Sequence, residues 1–126
     1  MIVGLGTDLI GVARIAAVHR RQGDRFLDRV YTDAERRYCL AARDPSERLA
    51  ARWAAKEACM KALGTGWARG VAFRQIALVA DVEGTAPTLR LDGEALAVAR
   101  GLGAARWHCS VSHADGMAIA VVVLES

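Results

Sequence analysis

The chain has 126 residues, 53% hydrophobic and 25% charged, which excludes a disordered chain and leaves room for one domain with a core but not two. Its net charge of +3 comes from fifteen arginines and two lysines against fourteen acidic residues. No apolar run approaches the roughly 20 residues of a membrane span, "MIVGLGTDLIGV" lacks the basic start of a signal peptide, and Cys39, Cys59 and Cys109 have neither disulfide-framework nor zinc spacing. A cytoplasmic protein with small buried thiols is expected.

In chain order, "MIVGLGTDL" reads as a buried strand in which Gly4 and Gly6 let other backbone come close, with Asp8 at or near its end. "GVARIAAVHRR" is a first helix with Val12, Ile15, Ala16, Val18 and His19 inward. "TDAERRYCLAAR" is a second, started by Thr32 as N-cap and Glu35 as its capping-box partner. "DPSERLAARWAAKEACMKALG" is the third and longest. It is capped by Ser46, or by Asp44 with Pro45 at the first helical position, and stops at Gly64. At about 100° per residue, Leu49, Trp53, Met60 and Leu63 share a narrow inward arc. Lys56 projects inside that arc, Glu57 lies at its edge and Lys61 just beyond. Charges in such places need a partner, a metal or a ligand.

The second half changes character. "VAFRQIALVAD" alternates Phe73, Ile76 and Leu78 as a strand does, "EGTAP" is a turn and "TLRLD" a short strand. "GEALAVARGLG" is a short helix. "WHCSVSHADGMAIAVVVLE" is a β-hairpin turning at Ala114-Asp115-Gly116. Strand, helices, then mostly strands is the order of an α+β fold.

Several residues have both a plain and a chemical reading. Asp8 is a strand-end cap or half of a carboxylate pair with Glu57. Two such carboxylates can hold Mg²⁺, which takes one or two of them together with substrate phosphates and water. Glu57 is otherwise a surface ion pair with Lys61 four residues on. Gly64-Thr65-Gly66 is a helix cap, or a turn whose N–H groups admit a phosphate beside Arg52, Lys56 and Lys61; it is not a Walker loop. In "HCSVSH", Ser112 and His113 lie at the hairpin mouth without the G-x-S-x-G of a serine nucleophile. Arg14, Arg21 and Arg25 have helical spacing, so they share one face if the first helix runs that far. That face is either merely solvated or a dock for an acidic partner.

Taken together, "GLGTDLIGVARI", "RWAAKEACMKALGTG" and "CSVSHADGMAIAVVV" resemble holo-[acyl-carrier-protein] synthase, the small bacterial-type phosphopantetheinyl transferase, in order and over nearly the whole chain. The resemblance implies a single α+β domain over residues 1–126, an antiparallel sheet packed with a long central helix. It implies an enzyme in which Asp8 and Glu57 bind Mg²⁺ and, with Lys61, serve catalysis. Arg52, Lys61, Gly64, Thr65, Gly66, Ser112 and His113 would line the coenzyme A site. Lys56 would steady the phosphates or Glu57, and Arg14, Arg21 and Arg25 would dock an acidic acyl carrier protein. A homotrimer with sites between subunits is implied too, with no nucleic-acid or membrane partner. The chain departs from the family at Gly11 to Ala13, where a polar or acidic residue is usual. It departs again at Gly84-Thr85-Ala86-Pro87, which stands for a shorter Gly-Lys-Pro turn. A basic RNA- or protein-binding module, or another Mg²⁺-dependent nucleotide enzyme, accounts for fewer of these residues.

Overall fold

Exposure alternates along the first strand, β1 (Ile2–Gly11): Leu5 and Leu9 are exposed, Gly6 and Ile10 buried. The strand is therefore half-buried rather than fully buried as its apolar run suggested. It also runs three residues past Asp8, because Asp8 to Gly11 pair in register with Ala120 to Met117. Asp8 thus sits within a strand, on the side shared with Gly6 and Ile10. The structure, a computed structural model, describes residues 1–80 and 84–126.

Helix α1 (Val12–Gln22) follows directly. It ends at Gly23, whose φ of 57° is the left-handed region where a residue without Cβ is favoured. A separate helix, α2 (Asp24–Val30), then buries Phe26, Leu27 and Val30, worth roughly 1.5–3 kcal/mol each. Nothing in the sequence pattern marks a helix there, and the break corrects one expectation: Arg25 belongs to α2 and does not share a helix face with Arg14 and Arg21. Helix α3 (Asp33–Leu40) starts with the expected capping box, Thr32 N–H donating to Glu35 Oε1 and Glu35 N–H to Thr32 Oγ1.

Helix α4 (Ser46–Leu63) is the axis of the molecule. Asp44 Oδ1 accepts from Ser46 N–H at 3.0 Å, so Asp44 rather than Ser46 caps its start, and Gly64 closes it with φ 75°. Its buried surface is wider than one arc. Ala50, Ala54, Ala55, Ala58 and Ala62 are buried beside Leu49, Met60 and Leu63, because β1 and the closing hairpin lie on one side and α1, α3 and β2 (Ile76–Val79) on others. Phe73–Gln75 forms a single 3₁₀ turn, so the strand predicted from Val71 starts only at Ile76. Gln75 sets that turn by accepting from the Ala72 and Ala95 N–H groups. β2 pairs with β3 (Thr88–Leu91). Asp81 of the predicted strand and Glu83 of the predicted turn lie outside the described residues.

After α5 (Gly93–Gly101), β4 (Arg106–Ala114) and β5 (Met117–Glu125) form the predicted hairpin. Asp115 and Gly116 both have positive φ, 51° and 75°, as a two-residue hairpin turn requires. The result is α+β, and the described residues form two antiparallel sheets where one was expected: β1-β5-β4 and β2-β3. Among the described residues no helix is long and apolar enough to cross a membrane.

The two strand glycines do what their spacing suggested. A Cβ on Gly4 would lie 2.5 Å from Ala62 O, and one on Gly6 only 1.9 Å from Ala58 O. Helix α4 rests directly on β1 at these points. Gly6→Ala should cost about 1–3 kcal/mol through forced separation of strand and helix. A thermal midpoint equal to wild type would show that the two elements can part freely.

Candidate active site

Side chains at even positions of β1 face α4, which brings Asp8 toward Glu57 and Lys61, one helical turn apart on that helix. Lys61 Nζ donates to Thr7 O at 2.9 Å and to Asp8 Oδ1 at 3.2 Å. The plain Glu57–Lys61 surface pair is thus replaced by a contact across the fold. Asp8 Oδ2 is buried and has no hydrogen-bond partner among the described residues. Glu57 Oε1 accepts from the Trp67 indole N–H at 3.1 Å. Burial raises the Glu57 carboxyl above the ordinary range; the Trp67 hydrogen bond lowers it, Asp8 raises it and Lys61 lowers it. These side chains line a groove of about 460 Å³ together with Arg14, Arg21, Arg29, Trp53 and Phe26.

Two carboxylates converging on a groove, one with an orphaned buried oxygen, suit a hard divalent cation. Among the described residues no three His, Cys, Asp or Glu side chains gather. The protein alone would supply two ligand groups, the number Mg²⁺ takes when phosphates and water complete its shell.

A second groove, about 780 Å³, lies elsewhere along α4 and is lined by Tyr38, Arg48, Arg52 and His113 and by Gly84, Thr85 and Pro87. The Arg48 and Arg52 guanidinium carbons each lie 4.2 Å from the centroid of the Tyr38 ring. Arg52 is 5% exposed, and its Nε has no partner among the described residues. His113 Nδ1 stands 3.2 Å from Glu47 Oε2, tying the hairpin end to the start of α4. Stacked guanidinium groups beside a histidine favour a phosphorylated, flat ligand. The departing turn at Gly84 to Pro87 is part of this wall.

The residues expected to line one coenzyme site are divided within one chain. Arg52 and His113 are in the second groove and Lys61 in the first. Arg52 and Lys61 are nine residues apart, about half a turn out of phase, and point to opposite sides of α4. Gly64, Thr65 and Gly66 follow Lys61 at the helix end, where Thr65 N–H and Gly66 N–H donate to Met60 O. Ser112 is on the outer face of β4, opposite in phase to His113. The docking set divides as well: Arg14 and Arg21 line the carboxylate groove, whereas Arg25 does not and Arg29 does.

Lys56 does not contact Glu57 or face either groove. It is fully buried and donates to Glu35 Oε1 at 2.7 Å, Phe73 O at 3.0 Å and Ile76 O. Glu35 Oε2 in turn accepts from Leu78 N–H at 3.1 Å. Burial lowers the Lys56 pKa, outweighing the opposing pull of Glu35. The partner demanded by a lysine on an apolar arc is therefore the capping-box glutamate.

A family model described as the 4′-phosphopantetheinyl transferase superfamily matches residues 4–122. A holo-[acyl-carrier-protein] synthase of Koribacter versatilis is 50% identical over 125 residues, covering 99% of each chain. The crystal structure of holo-[acyl-carrier-protein] synthase from Neisseria meningitidis covers all of both chains with a TM-score of 0.87 at 36% identity. That from Helicobacter pylori, solved in complex with coenzyme A, matches with a TM-score of 0.82 at 32% identity, over 96% of this chain and 99% of that one. The chain belongs to the holo-[acyl-carrier-protein] synthase family.

Membership makes the chain an enzyme, a phosphopantetheinyl transferase. Within this synthase fold, sequence reasoning missed Trp67, Arg29, Arg48 and Tyr38. Only Trp67 left a signal, an aromatic residue placed straight after the Gly-Thr-Gly turn. Cys39 and Cys59 are buried as expected and Cys109 only partly; all three are free, and burial pushes them up to about 11 for Cys39 and Cys109 and about 12 for Cys59, which keeps them protonated.

Proposed function

We propose that this chain, acting as a single transferase domain over residues 1–126, moves 4′-phosphopantetheine from coenzyme A to a serine of an apo acyl carrier protein. The reaction is Mg²⁺-dependent, releases adenosine 3′,5′-bisphosphate and serves fatty acid or polyketide synthesis in the cytoplasm. The observation that carries the reading is the meeting of Asp8 and Glu57 in one groove, with Asp8 Oδ2 without a partner among the described residues and Lys61 alongside. When bound, Mg²⁺ would neutralise charge on the diphosphate oxygens. Asp8 and Glu57 would hold it. Lys61, tethered through Thr7 O and Asp8, presents its ammonium to the diphosphate. The serine hydroxyl oxygen forms a bond to the phosphorus bearing pantetheine as the bond to the bisphosphate leaving group breaks, and the hydroxyl proton passes to solvent. Such transfer asks the protein mainly to position groups and offset charge. Incubation with apo-carrier, coenzyme A and Mg²⁺ should give a carrier heavier by one phosphopantetheine in a mass spectrum. An unchanged carrier would refute the activity.

Two features support assembly into a homotrimer. Arg52 and Lys61 diverge by half a turn, so a coenzyme touching both must lie across two copies. The outer face of β1-β5-β4 also leaves Leu5, Leu9, Met117 and Ile119 exposed, an apolar patch of the kind subunits cover. Arg52, His113 and Ser112 of one subunit would then complete the site begun by Lys61 and Gly64 to Gly66 of its neighbour.

Arg14 and Arg21 border the carboxylate groove, where an acidic carrier must deliver its serine. Exposed charges of this kind act mainly on encounter, over a Debye length of about 10 Å at 0.1 M salt. Arg14→Glu with Arg21→Glu should raise the carrier KM and flatten its salt dependence, with a far smaller change in coenzyme A binding. A carrier KM equal to wild type at low salt would refute the dock. Arg25, outside the groove, should matter less than Arg29.

A further inference from the structure

Trp67 is 69% exposed, yet it is not loose. Its ring meets Phe73 edge-on at 6.0 Å, and Phe73 stacks on Trp53 at 4.9 Å. The turn that carries it is bent back by Gly64 and Gly66, both at positive φ. The indole N–H is thereby delivered ten residues back along the chain, to Glu57 Oε1. An indole can only donate, so the contact has one sense. Little of the ring is hidden from water, so its placement rests on that hydrogen bond and the edge contact with Phe73.

The two groove carboxylates are treated alike. Lys61 holds Asp8 Oδ1 and Trp67 holds Glu57 Oε1, leaving Asp8 Oδ2 and Glu57 Oε2 without a hydrogen bond among the described residues. A donor on one oxygen fixes the plane of a carboxylate and so aims the other. We propose that Trp67 is a positioning residue for Glu57, turning its free oxygen toward the cation site as Lys61 does for Asp8. The proposal rests on Asp8 and Glu57 being the metal ligands.

The test is Trp67→Phe, which keeps a ring against Phe73 and removes the donor. Mn²⁺ binding is read by electron paramagnetic resonance with coenzyme A present, and Asp8→Ala serves as reference. Loss of an outer hydrogen bond to a metal ligand typically costs about 10–100-fold in metal affinity. The expected result is at least about a tenfold weaker Mn²⁺ affinity in Trp67→Phe, with an unchanged thermal midpoint. Trp67→Leu, lacking both ring and donor, should weaken binding to about the same extent as Trp67→Phe. Wild-type Mn²⁺ affinity in Trp67→Phe, beside a weakened Asp8→Ala, would overturn the role of Trp67 and leave the metal reading standing. Loss in Trp67→Leu alone would assign the effect to ring packing and overturn the hydrogen-bond role. Wild-type affinity in Asp8→Ala would remove the metal reading itself, and the Trp67 proposal with it.

Discussion

Asp8→Ala and Glu57→Ala should each lower kcat/KM for transfer by about a thousandfold or more while the protein stays folded. A metal that offsets developing phosphate charge contributes several kcal/mol to the transition state, and about 4 kcal/mol is roughly three powers of ten. The fold has little stake in either carboxylate. Glu57 is only half-buried, its one hydrogen bond among the described residues is to an exposed tryptophan, and burial already disfavours its charge. Asp8 carries a buried oxygen with no partner among the described residues, so removing it relieves a desolvated atom and repulsion toward Glu57, which offsets the loss of the largely exposed Lys61 contact. The thermal midpoint of either variant should therefore match or exceed wild type. Transfer within tenfold of wild type at saturating Mg²⁺ would remove that residue from the metal site.

The buried ion pair should behave in the opposite way. Lys56→Met should destabilise the fold by about 3–5 kcal/mol, because it strands the Glu35 carboxylate in the interior. For a chain of this size that is a fall of roughly 10–20 °C in thermal midpoint. Glu35→Leu should be comparably severe, since it strands the Lys56 ammonium and removes the acceptor for Thr32 N–H and Leu78 N–H. The two changes should not add: the double variant loses both charges at once, and a coupling on the order of 1–3 kcal/mol is expected for groups in direct contact. Additive losses in denaturant titrations would show that the pair is not a unit. The variants that keep their fold in the cold should keep measurable transfer, since Lys56 faces neither groove.

What was legible in the sequence is what neighbours in the chain decide. Thr32 and Glu35 sit three residues apart and cap α3; Asp115 and Gly116 turn the hairpin; Gly64 stops α4. Periodicity also showed that Lys56 lies on an apolar arc and must have a partner. It could not name Glu35, 21 residues away, because that side chain was already accounted for by its capping role. The short α2 escaped because its seven residues are too few for a helical period to emerge, and Gly23 makes a break that only a dihedral angle reveals. The carboxylate pair stands in the residues only as one of two readings, and family resemblance is what favours it. Its proximity is a property of strand register against a helix, which no local pattern encodes. The same holds for the two grooves: spacing along one helix places Arg52 and Lys61 in one motif, while the turn angle sends them to opposite sides.

The bare backbone at Gly6 has a consequence for how activity data would be read. Asp8 follows it by two residues, and Glu57 immediately precedes Ala58, whose carbonyl oxygen a Cβ at position 6 would strike. The gap between the two carboxylates is thus gauged by an atom that is not there. A methyl group at position 6 would prise the two carboxylates apart without itself lining the groove. In a screen it would score as a dead enzyme, although glycine has no chemistry to lose.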